Sequence, residues 1–117
     1  MKTRREATAL ETHSIKVSRW QPLRQVYPAT YEAILTIFQD AGLQPYDFMA
    51  DVGRTLGPSW LLRVRYGEGY PNEAVLETSD EGLNDIEQQV VAFVKDVVNA
   101  CQETAVKDYR NFMRTNA

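Results

Sequence analysis

Cysteine and histidine are nearly absent: the 117 residues include one of each, Cys101 and His13. A lone cysteine excludes an intrachain disulfide framework and gives no support to secretion. No second histidine or cysteine stands near His13 at ligand spacing, so a zinc site has almost nothing to rest on. Long apolar runs are missing as well; no stretch approaches the roughly 20 residues that a membrane-spanning helix needs. The first eight residues carry positive charge but lead into no apolar segment of signal-peptide length. The expectation is a cytoplasmic chain with no membrane contact.

The chain also lacks the glycine patterns that cradle phosphate. Gly53 and Gly57, and then Gly67 and Gly69, have no phosphate-loop lysine beside them and form no dinucleotide fingerprint. Turn chemistry accounts for both pairs. No serine lies between glycines in the manner of a hydrolase elbow. Asp47 and Asp51, or Asp80, Glu81 and Asp85, do not follow the spacing of a calcium loop, and acids at a helix start are explained by the helix dipole. Cys101 falls on the apolar stripe of a helix, where burial raises a thiol pKa and suppresses the reactive thiolate. These absences leave no catalytic residue, metal or cofactor to nominate.

What is present is an ordinary globular composition, 44% apolar and 25% charged, enough to bury a core without staples. Residues 1–12 are polar with no sustained stripe and read as a loose arm, leaving 13–117 as one domain. Residues 13–20 alternate as a half-buried strand, with Ile15 and Val17 on one face and Lys16, Ser18 and Trp20 on the other. Pro28 suits a first helical position, Tyr31, Ile34, Leu35 and Phe38 share a helical stripe, and Gly42 closes the helix. A strand is expected over 46–52. Another over 59–66 carries Trp60, Leu62, Val64 and Tyr66 on one face and Leu61, Arg63 and Arg65 on a solvent-facing side. A turn over 67–72 and a strand over 73–78 complete a hairpin. The fold class that follows is α+β: a small antiparallel sheet of three or four strands, covered in two layers by a short helix and a long C-terminal helix.

That last helix carries the main tension. Thr78 and Glu81 have capping-box spacing, and one amphipathic pattern then runs over 80–113. Such a helix would be about 50 Å long, whereas a compact chain of this size should span only about 35 Å. Leu83, Ile86, Val90, Val94, Val97, Cys101 and Ala105 form its core stripe, and Val106, Tyr109, Phe112 and Met113 continue apolar beyond it. Those four are the candidate interface. Either the helix breaks over 99–104 and folds back, or its end meets a partner, most economically a second copy.

Charge is divided unevenly. Residues 1–65 carry nine Lys and Arg against six Asp and Glu, and residues 66–117 carry four against ten. Arg63 and Arg65, with Trp60 and Tyr66 nearby, are a weak candidate for a nucleic-acid surface, but a pI near 5.1 and the lack of any recognition module argue against it. The reading from sequence is a binding or regulatory domain that acts through protein contacts, as a homodimer and on a protein or peptide client. Its rival is a small-molecule or catalytic cleft under the long helix.

Overall fold

Alternating apolar residues and turn-forming punctuation build the sheet, and a 3.6-residue period builds the helices that cover it. The computed structural model describes residues 17–115. The expected arm over 1–12 and the start of the strand expected over 13–20, with His13, Ile15 and Lys16, lie outside the described residues. Strands β1 (Val17–Pro22), β2 (Phe48–Thr55), β3 (Trp60–Tyr66) and β4 (Asn72–Thr78) pair antiparallel in the order β1-β2-β3-β4. Helices α1 (Leu23–Val26) and α2 (Pro28–Asp40) connect β1 to β2, and α3 (Asp80–Asn84) and α4 (Gln88–Thr115) follow β4. This is an α+β fold with four strands and a long C-terminal helix, as the residue pattern implies.

The core lies between one sheet face and the helices. Leu62 and Val64 of β3 are buried there with Phe48, Ala50 and Val52 of β2, and Trp60 and Tyr66 pack against them. From α2 come Ile34 and Phe38, with the Phe38 ring stacked on Phe48 at 3.9 Å between centroids. From α4 come Val90, Phe93, Val94, Val97, Val98 and Cys101. Pro28 opens α2, where its missing N–H costs nothing, and Gly42 follows the end at φ +85°.

Three features differ from expectation for identifiable reasons. The strand expected over 46–52 begins at Phe48, because Gln44 and Asp47 cap a short 3-10 turn, Pro45–Asp47, with reciprocal hydrogen bonds. It then runs through Gly53 to Thr55, so Gly53 is a strand residue and not a turn residue. A Cβ at Gly53 would meet Val17 Cγ1 at 2.2 Å and Trp20 at 3.2 Å. The strict alternation expected in β1 is interrupted by a register shift between Val17 and Trp20, which brings both side chains over the same glycine.

The helix expected without interruption over 80–113 is two helices. Ser79, not Thr78, caps the first by accepting the Gly82 N–H at 2.9 Å, while the Thr78 hydroxyl accepts from Gln89 instead. α3 closes with Ile86 N–H to Leu83 C=O at 3.3 Å and Glu87 N–H to Gly82 C=O at 3.1 Å, a paired closure around a residue in the left-handed region. That residue is Ile86, at φ +51°. A β-branched side chain there gives no warning in the sequence, since glycine is the usual occupant. Of the two alternatives for its end, the break over 99–104 does not occur, and α4 continues for 28 residues.

Candidate interaction surface

α4 changes character along its length. Its first half buries Val90, Val94, Val97 and Cys101 at helical spacing against the sheet and α2. Past Thr104 every side chain described on it is exposed. Val106 is 50% exposed, Tyr109 62% and Met113 48%. These are three of the four residues nominated from sequence; Phe112 lies in α4, with its side chain outside those described. Twenty-eight helical residues are about 42 Å long, while the molecule measures 52 × 29 × 25 Å. The helix sets the long dimension, and the radius of gyration, 14.7 Å, exceeds the roughly 13 Å of a compact chain this long.

The same outward side of α4 presents Asn99, Gln102, Glu103, Lys107 and Arg110 around Val106, lining an open concavity. None of these polar residues stands out in the sequence. Their common face becomes visible only once burial assigns the opposite face to the core. Gln102 is partly held already, its Nε2 donating to the Ala41 carbonyl at 2.9 Å where α2 ends.

A second feature is a partly open recess of about 400 Å³ between α4, the 3-10 turn and the β3–β4 turn, walled by Leu43, Tyr46, Tyr70, Cys101 and Thr104. Two of its polar groups are committed to structure. The Tyr70 hydroxyl donates to the Tyr46 carbonyl at 2.7 Å, and the Asp47 carboxylate accepts the Gln44 N–H at 2.7 Å. The Cys101 thiol points to the Asp47 carbonyl at 3.8 Å, and burial, reinforced by the Asp47 charge, pushes its pKa above the ordinary thiol value. A thiol held protonated is a poor nucleophile. Among the described residues no three His, Cys, Asp or Glu side chains converge as metal ligands.

Arg63 and Arg65 project from the sheet face opposite the helices, but they are not a free basic surface. The register sets Asp51 directly across from Arg63, and both guanidinium groups donate to Asp51 Oδ2, at 3.0 and 3.1 Å. The Trp20 ring covers Arg63 at 4.0 Å. Leu61 and Val75 are buried on this face, so it is not the plain solvent side expected from alternation. Among the described residues, no helix is long and apolar enough to cross a membrane. No family model, no curated protein and no solved structure matches this chain.

Proposed function

We propose that this domain is a cytoplasmic protein-interaction module, which recruits a protein or peptide client and pairs with a second copy of itself through α4 beyond Glu103. The observation that carries this reading is the exposed apolar side of a helix that outruns its own domain: Val106, Tyr109 and Met113 all face water. Each such side chain is worth about 1.5–3 kcal/mol when buried, before ordering costs. Those costs are reduced here, because the first half of α4 is anchored in the core.

Self-pairing through the sheet is the weaker alternative. Two β4 strands meeting antiparallel about Val75 would set Glu73 of one against Glu77 of the other, like charges directly opposed. A catalytic or small-molecule cleft under the long helix is also less well supported, since the recess there offers a protonated thiol and a carboxylate already used as a cap.

Light scattering on the full chain at about 100 µM, a concentration suited to small interfaces, tests the reading. A dimer is expected, and Val106→Asp with Tyr109→Asp should give a monomer whose far-UV circular dichroism is unchanged. Deleting 104–117 should also give a monomer, its helical signal reduced only by the helix removed. A full chain that is monomeric at that concentration overturns the proposal.

A further inference from the structure

Burial assigns one face of α4 to the core; on another, a second stripe remains uncovered. Asn99, Gln102, Val106, Tyr109 and Met113 follow one another at intervals of three, four, three and four residues. That is a seven-residue repeat, the spacing of a seam between paired helices, and the buried stripe through Val90, Val94, Val97 and Cys101 keeps the same repeat on the core face. With Asn99, Val106 and Met113 at the first heptad position and Gln102 and Tyr109 at the fourth, Glu103 and Arg110 both occupy the fifth. They are exposed, seven residues apart and opposite in sign.

The sign pattern selects an orientation. In a parallel pair of helices the fifth position of one lies beside the seventh of the other, and here the seventh position is Val98 or Ala105, without charge. In an antiparallel pair the fifth positions of the two helices lie beside each other. A two-fold axis near residues 107 and 108 then brings Glu103 of each copy to Arg110 of the other, twice over. The same axis sets Val106 against Tyr109 and carries Met113 toward Gln102 and the end of α2.

Resting on the self-association reading above, we propose that two copies pair antiparallel along this stripe, with Val106 packed on Tyr109 and Glu103 ion-paired with Arg110 across the two-fold axis. The contact covers only two heptads, so it is weak and reversible, and the charge pairs decide orientation and partner more than strength.

Charge reversal tests this without touching the core. E103R and R110E, studied by sedimentation equilibrium at about 10–300 µM, should each weaken self-association by about tenfold or more. The double variant E103R/R110E should recover to within about threefold of the unmodified chain. Mixing the two single variants should restore pairing as a heterodimer, because each then meets the charge it lacks. If Val106→Asp with Tyr109→Asp abolishes the dimer while the charge reversals leave it unchanged, or the mixture fails to pair, the antiparallel register is wrong although association through α4 stands. If the unmodified chain stays monomeric throughout, both fall together.

Discussion

At Cys101 the thiol is 4% exposed on the inward face of α4, and burial together with the nearby Asp47 charge holds it protonated. Thiol reagents attack the thiolate, so native labelling at neutral pH should be slow and labelling after denaturation fast. Cys101→Ser should cost about 1–3 kcal/mol in chemical denaturation, because a hydroxyl would replace sulfur among apolar neighbours with only the Asp47 carbonyl near. Rapid native labelling would reopen a redox or catalytic role. Position on the apolar stripe was enough to read its burial. Gly53 shows the opposite case: its role depends on Val17 and Trp20 lying over it, which no local pattern announces.

Between elements, α2 and α3 are joined by two contacts that sequence distance hides. The Thr30 hydroxyl donates to the Leu83 carbonyl at 2.7 Å, and the Tyr27 hydroxyl donates to the Asp80 carboxylate, with Trp60 edge-on to the Tyr27 ring. Burial first, then the hydrogen bond and charge of Asp80, raises the Tyr27 pKa well above the usual phenol value. An unfolded tyrosine ionises near pH 10, whereas the folded one retains its proton beyond that. Above about pH 10 the unfolded chain therefore binds fewer protons, and stability falls as pH rises. Denaturant midpoints measured from pH 8 to 11 should show this decline in the native chain, shallower in Tyr27→Phe, which should also lose about 1 kcal/mol at neutral pH. An unchanged slope in the variant would remove Tyr27 from this role.

At the scale of the whole molecule, the two arginines nominated from β3 are not free to act as a basic patch. Arg63 and Arg65 share one carboxylate, and Trp20 covers the first of them. Single-stranded DNA or RNA should accordingly show no specific complex at physiological salt in fluorescence anisotropy. A submicromolar complex that weakens steeply with salt and is lost in Arg63→Ala with Arg65→Ala would reverse that conclusion. The dimension that matters at this scale is the 52 Å length set by α4, against which the other two axes measure 29 and 25 Å.

Periodicity alone determined the fold class, the α2 stripe closed by Gly42, the β3–β4 hairpin and the conflict between a long helix and a small domain, because each follows from spacing within one segment. The candidate interface residues Val106, Tyr109 and Met113 were legible for the same reason, as apolar residues left over once a core stripe had been counted. Tertiary structure decided the rest. It placed the helix break at Ile86, where a paired closure offsets the strain of a positive φ. It carried β2 through Gly53 because Trp20 needs a residue without a side chain beneath it. And it sorted the faces of α4, since a helix with apolar residues on more than one side does not declare which side its own domain will cover until the sheet and α2 have taken theirs.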